Sequence, residues 1–273
     1  MNPFRFFKWV FVGWFLFSFA TCQQVDPPVF DNPYDPENPN FQYPKATITN
    51  PANGQILDET SVTLSWVGIF SKSSFSFKLG GRDDEYSAWK AGTSITYSYL
   101  DEGSYTFYVR EKAGNFEQTE PTSLTFTVNA LQQTSLLLTH WYNRAPANTE
   151  SFVDVWIEEV SLFKGITTQI QTDENITVTQ IEKNSGQMEG EGVLLLQITN
   201  SLYEINHNHV LMLDGILLGS TNGFTGSAPI CRIYFKAIGD GELKYISDST
   251  QIRDVTNQPI EVITFRDGII EIY

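Results

Sequence analysis

From Ser61 onward the chain alternates apolar and polar positions in short runs. SVTLSW (61–66), SFSFKLGG (74–81), SITYSYL (94–100), YTFYVRE (105–111) and SLTFTV (123–128) all show the two-residue period of a half-buried strand. They follow one another at short spacing, with DEG and AGN turns between them. Five or more such strands, rich in β-branched and aromatic residues, predict two packed sheets over residues 45–130.

The pattern restarts after Asn129-Ala130-Leu131. SLLLTHWY, SFVDVWIEEV, GITTQIQT, ITVTQIEKN, GVLLLQITN, HVLMLDGILLG, PICRIYFKAI, ELKYIS and IEVITFRDGIIEIY give nine strand candidates in residues 131–273. No segment sustains a helical period over three turns. Several of these runs are apolar on both faces, which predicts that both sheets are well covered, as in a nine-stranded jelly-roll sandwich. The expected organisation is therefore all-β, one sandwich followed by another.

Upstream of both the pattern changes character. Arg5 and Lys8 precede a run that stays apolar from Trp9 to Ala20, the layout of an export signal over residues 1–21 and shorter than the ~20 residues a membrane span prefers. Phe19-Ala20-Thr21-Cys22 resembles a bacterial lipobox, which implies lipid attachment at Cys22. Ser18-Phe19-Ala20 also suits ordinary signal peptidase, and an uncleaved anchor is a third reading. Residues 22–44 then form a Pro/Asn/Asp-rich stretch, with six prolines and no cation between Pro27 and Pro44. Proline removes backbone donors and stiffens the chain, so this stretch is expected to run extended as a tether. Of the two cysteines, Cys231 lies in the apolar run PICRIYF and reads as a small buried hydrophobe.

Two stretches resemble known families. In residues 100–109, LDEGSYTFYV, a Gly turn enters a strand whose first Tyr can bond back across the corner. With Trp89 upstream, this resembles the fibronectin-III- and immunoglobulin-like modules of bacterial surface proteins. Trp66, Trp89, Tyr105 and Phe107 are then expected to be core residues, with a sugar-stacking platform as the alternative. SFVDVWIEEVSLFKGITTQIQTDENITVTQIEKN (151–184) resembles the opening of a cohesin domain. GFTGSAPICRIYFKAIGDGELKYISDSTQIRDVTNQPIEV (223–262) resembles its continuation, with Ile252-Arg253-Asp254, Asn257 and Ile260 matching the closing signature.

The cohesin resemblance implies a protein-binding module that presents one sheet face to a dockerin-like partner, the partner carrying its own calcium. After Gly165 the chain alternates Ile166, Thr168 and Ile170 with Thr167, Gln169 and Gln171, so the second set is expected on the outer face. Thr167, Gln169 and Gln171 are the candidate partner-binding residues; a plain solvated face explains them equally well. Asp154 and Trp156 receive no role.

Catalytic chemistry finds little to stand on. There is no H-E-x-x-H, G-x-S-x-G or phosphate loop. His207 and His209 would share one face of a strand, but no Cys or acidic cluster lies near them in sequence to complete a metal site. Glu158 and Glu159 would point to opposite faces, and the GDGE turn (239–242) has too few oxygens of its own for calcium. The reading is non-catalytic, without cofactor or metal. The formal charge of −15 disfavours nucleic acid and anionic lipid as partners, and residues 131–273 alone hold 8 basic and 18 acidic residues. The expected protein is a lipid-anchored one at the bacterial envelope, at the outer membrane or cell surface. The alternatives are a carbohydrate-binding surface protein, using exposed aromatics such as Trp141, Tyr142 or Trp89, and a structural envelope component.

Overall fold

A computed structural model describes residue 32 and residues 34–183, 186–188 and 192–273. The export segment, Cys22 and most of the tether's first half lie outside the described residues. The chain divides into two units between Tyr43 and Pro44, the second being the compact unit Pro44–Tyr273. No helix among the described residues is long and apolar enough to cross a membrane.

The described part of the tether is not extended. Asn32, Asp35 and Asn38 each start a turn: the N–H groups of Asp35, Asn38 and Phe41 donate to the carbonyls of Asn32, Asp35 and Asn38 at 3.2, 2.9 and 2.9 Å. Each of the three side chains also accepts from the N–H two residues on, at 3.0, 2.9 and 2.9 Å. The Asx side chains offer the backbone local partners, and a repeat of three residues stacks the turns end to end. These local Asx bonds outweigh the extending effect of the prolines.

In the second unit, the first sandwich comprises β1 (Thr47–Asn50), β2 (Gln55–Leu57), β3 (Val62–Val67), β4 (Ser74–Leu79), β5 (Ser94–Tyr97), β6 (Gly103–Ala113), β7 (Phe116–Glu117) and β8 (Thr122–Val128). One sheet has the order β1-β3-β5; the other runs β2-β8-β6-β4, with β7 on β6. Trp66 is buried between them, its ring centroid 6.0, 5.1 and 5.6 Å from those of Phe75, Phe77 and Phe107. The Tyr105 hydroxyl donates to the Asp101 carbonyl at 3.1 Å, the expected corner bond. Glu111 is fully buried, and its carboxylate accepts from the N–H groups of Lys45, Ile69 and Phe70 at 2.8, 3.1 and 3.2 Å and from the Ser73 hydroxyl.

The second sandwich comprises β9 (Ser135–Thr139), β10 (Tyr142–Ala145), β11 (Glu150–Thr172), β12 (Ile176–Lys183), β13 (Val193–Ile198), α1 (Leu202–Asn208), β14 (Val210–Leu218), β15 (Phe224–Ala237), β16 (Gly241–Tyr245), β17 (Gln251–Asp254), β18 (Pro259–Ile260), β19 (Thr264–Arg266) and β20 (Gly268–Ile272). Two of the expected strands are one. SFVDVWIEEV and GITTQIQT join in β11, which bends at register irregularities between Val155 and Phe163, with Glu159 and Leu162 at positive φ. Extra residues in one strand locally break pairing and turn its direction, so the two halves of β11 serve two sheets.

The first half pairs with β15 on one side and β9 on the other, giving the order β12-β15-β11-β9-β19. The second half pairs with β14 on one side and with β17 and then β16 on the other. That sheet runs from β13 at its edge through β14 and β11 to β16, β20 and β10. Val153, Val155, Phe163, Ile166, Ile170, Leu213 and Phe235 lie in the buried core between them. Cys231 is buried there too, and burial pushes its thiol well above the ordinary range, so it stays a neutral apolar filler.

The two cores are distinct clusters, each closed within its own sandwich. Between them sits a polar and aromatic junction. Arg266 lies 2.9 Å from Glu102, both side chains nearly buried, while Glu102 also accepts from the Ala130 N–H at 2.7 Å. Asp101 accepts from the His140 N–H at 3.0 Å, and the Trp141 indole donates to the Leu100 carbonyl at 3.3 Å.

Candidate functional site

The outer face of the β13-β14-β11-β17 sheet is built by simple alternation. Ile166, Thr168 and Ile170 turn inward and are buried, and Thr167, Gln169 and Gln171 turn outward, with Thr167 and Gln171 exposed and Gln169 half-buried. Across the ladder they face Asp214, Met212 and Val210 of β14. The candidate residues thus share one surface with a second strand of matching register.

That surface continues into β13, where an expectation fails. GVLLLQITN and HVLMLDGILLG are apolar on both faces, which predicted cover on both sides. Here β13 and β14 bury only one. Val193 and Leu195 are 55% and 52% exposed, and their cross-strand partners Leu218 and Ile216 are 43% and 47% exposed. Directly opposed residues project to the same side, so these four side chains form one patch rather than four scattered ones. Their inward neighbours Leu194 and Leu217 are fully buried, and Leu196 is half-buried. Gly215 makes this packing possible: a Cβ there would fall 3.1 Å from Ile166 and 3.6 Å from both Leu194 and Leu196.

Gly165 opens the face further. It pairs with Ile216 on one side and Arg253 on the other and brings no side chain to fill the space between them. A shallow depression of about 620 Å³ results, walled by Leu195, Ile216 and Gln197 on one flank and by Arg253 and Val255 on the other. The far wall is the β17–β18 turn, in which Asp254 accepts from the Gln258 N–H and from the N–H and hydroxyl of Thr256, each at 2.8 Å. Those bonds hold its carboxyl below the ordinary range. Asn257 takes the left-handed conformation at φ 63°, and its carbonyl accepts from Arg253 at 3.0 Å. The residues matched in sequence at Arg253, Asp254 and Asn257 therefore build this turn, while Ile252 pairs with Ile260 below it.

The face carries little free charge. Asp214 accepts from the hydroxyls of Thr167 and Thr199, each at 2.8 Å, and Lys164 is drawn to the Ser220 carbonyl at 2.6 Å. An apolar strip beside amides and hydroxyls can be desolvated at small cost.

The remaining candidates are dispersed. His207 and His209 do not share a strand face: His207 lies in α1, its ring parallel to that of Tyr203, and His209 caps the helix in the left-handed conformation. The described residues hold no group of three or more His, Cys, Asp or Glu placed to bind a metal. Asp154 is bound by Arg232 through two bonds of 2.8 and 2.9 Å, and the Trp156 indole donates to Glu158 at 2.7 Å. Trp66 and Phe107 are core residues as expected, and Tyr105 is half-buried against Phe126. Trp89 is not: it stands half-buried with Arg110 and Lys112 over its ring. Trp141 and Tyr142 sit at the junction, against Leu100 and Tyr99.

A model of the Y_Y_Y domain matches residues 68–129, within the first sandwich. No curated protein matches the chain. Among solved structures, the chain is similar to the non-cellulosomal cohesin of the archaeon Archaeoglobus fulgidus, at 16% identity and a TM-score of 0.40, over 52% of this chain and 91% of that one. It is similar to a type II cohesin domain from the cellulosome of Acetivibrio cellulolyticus, at 11% identity and 0.42, over 50% and 94%. It is similar also to the cohesin–dockerin complex Coh-OlpA-Doc918 from Clostridium thermocellum, at 10% identity and 0.41, over 52% and 100%. At such values the likeness says nothing of the face or its occupant, and the two-sheet fold stands on the strand pairings themselves.

Proposed function

We propose that this protein is a non-catalytic, lipid-anchored binding protein of the bacterial envelope, whose second sandwich captures a protein through the outer face of β13, β14 and β11. The observation that carries this is the patch formed by Val193, Leu195, Ile216 and Leu218, side by side on an open sheet face. A contiguous apolar patch rimmed by polar groups marks a partner site more often than scattered exposure does. The neighbouring Thr167, Gln169 and Gln171 supply hydrogen-bonding groups without net charge, suited to a surface that is solvated when free and buried when bound. The sequence resemblance to cohesins implies a dockerin-like partner that brings its own calcium.

The test is capture from the source organism's surface and secreted proteins, with and without calcium, by the wild-type chain and by Leu195→Lys and Ile216→Lys. A partner held by the wild type and lost from both variants supports the reading; a partner retained by both places the site elsewhere. The anchor is tested separately. Cys22→Ala is expected to release the protein from membranes, and a mature N-terminus at Thr21 in mass spectrometry would leave simple secretion instead.

A further inference from the structure

A second surface, remote from that face in the strand order, lies where the two sandwiches meet. A cleft of about 670 Å³ is lined by Gly81, Arg82 and Thr96 to Tyr99 of the first sandwich and by His140, Tyr142 to Arg144 and Phe152 of the second. Its volume is that of a small-molecule site, and module junctions are common places for one. Two properties single it out.

The first is its charge. The chain has 32 acidic residues against 17 basic ones, yet no acidic residue lines this cleft, while Arg82, Arg144 and His140 all do. Arg82 is exposed and forms no ion pair among the described residues; its guanidinium sits 5.5 Å from the centre of the Tyr142 ring. Arg144 shares Glu271 at 3.4 Å with its side chain still largely exposed. Arg232 and Arg266, by contrast, are held at 2.8 and 2.9 Å by Asp154 and Glu102.

The second is its aromatic wall. Tyr99 stacks on Tyr142 with centroids 4.6 Å apart and planes 17° apart, and remains 44% exposed. Both Tyr99 and His140 hold positive φ, 59° and 55°, a conformation uncommon for bulky side chains. Strained backbone of this kind gathers at ligand sites when surrounding contacts enforce it. Here the Asp101 carboxylate holds the His140 N–H, and the ring stack fixes Tyr99.

We propose that the junction cleft binds a saccharide unit bearing a carboxylate. The exposed tyrosine ring offers a flat surface to the C–H face of a sugar, and Arg82 and Arg144 offer paired donors to its carboxylate. A neutral sugar would leave Arg82 without an ion pair and Arg144 with only its 3.4 Å contact to Glu271, and an acidic peptide would leave the ring unused. The site is independent of the protein-binding face, so either can stand without the other.

The experiment is calorimetric titration of the intact protein with trigalacturonic acid, with a neutral galactose trisaccharide and with polyglutamate. The acidic trisaccharide is expected to bind, and Arg82→Ala to weaken it about tenfold or more, as loss of a charge-assisted hydrogen bond does. Because Arg82 is exposed, that variant is expected to keep the wild-type melting temperature. Tyr99→Asn keeps a side chain tolerant of the left-handed backbone and is expected to lose binding as well. Absence of binding, equal binding of the neutral sugar, equal binding of polyglutamate or indifference to Arg82→Ala would each overturn the proposal.

Discussion

The two sandwiches dispose of polar and apolar groups in opposite ways. The first turns polar chemistry inward: the Glu111 carboxylate sits in its interior and ties down the chain at Lys45 and the loop at Ile69, Phe70 and Ser73. Its exposed large hydrophobics, such as Ile56, Val67 and Ile69, are not paired across a ladder with one another. The second turns apolar chemistry outward, in the opposed pairs Val193–Leu218 and Leu195–Ile216. A buried carboxylate fixes loops and binds nothing; an open apolar face adds nothing to the free protein's fold. On the proposed function, the first sandwich supplies rigidity and the second captures the partner.

The largest expected effect breaks the first half of this comparison. Glu111→Ala leaves three part-buried backbone N–H groups without their acceptor and is expected to cost about 3 kcal/mol, the lower end of the range for removing one partner of a buried charged network. Gly68→Ala is expected to act on the same network, because a Cβ there collides with the Glu111 carboxylate. Since the cores are separate clusters, urea unfolding followed by probes in each sandwich is expected to show loss mainly in residues 45–130. Equal loss in both would mean that the junction joins them into one cooperative unit.

A smaller effect tests the second half. Gln169→Lys adds a charge to the centre of the proposed capture face, which is expected to weaken partner binding by on the order of 1–3 kcal/mol through an unpaired, desolvated ammonium. The melting temperature is expected to stay put, because Gln169 turns away from the core. Strong loss of stability with binding intact would reverse both assignments.

How much of this could be read beforehand depends on how local the cause is. The outward set at Thr167, Gln169 and Gln171 followed from a two-residue period, and the Tyr105 corner bond followed from a Gly turn before an alternating strand. Helix α1 was not foreseen: seven residues are too few for periodicity to register, and its one local signal is the capping box of Ser201 with Glu204. The open face of β13 and β14 was illegible for a different reason. A run that is apolar on both faces looks the same whether a second layer covers it or a partner does. The bend in β11 likewise has no Gly or Pro to mark it, since Glu159 and Leu162 take positive φ under constraint from distant pairings. The junction cleft required Tyr99 and His140 to meet across about forty residues of chain, a contact set by two folded sandwiches and by no local pattern.

The smallest effect sharpens the boundary between the two regions. The Asp101 carboxyl at the junction is held above the ordinary range because burial strips it of water. The positive charges and donors around it, from His140, the Trp141 N–H and Arg266, pull the other way without prevailing. A carboxyl raised in the folded state keeps its proton at a pH where the unfolded chain has released it. Stability contributed by Asp101 therefore falls as pH rises from its ordinary value of 3.8 through the raised one, and is level outside that window. One proton sets the slope at no more than about 1.4 kcal/mol per pH unit. Asp101→Asn keeps an oxygen to accept the His140 N–H at 3.0 Å and removes the titration, so its stability is expected to be flatter than wild type across that window. If junction contacts persist only while both sandwiches are folded, the flattening appears in whichever transition comes first and is absent from the second. An unchanged pH profile in both transitions would mean that the Asp101 carboxyl carries no raised pKa in the folded protein, and that the junction is held by its other contacts, Arg266 with Glu102 and Trp141 with Leu100.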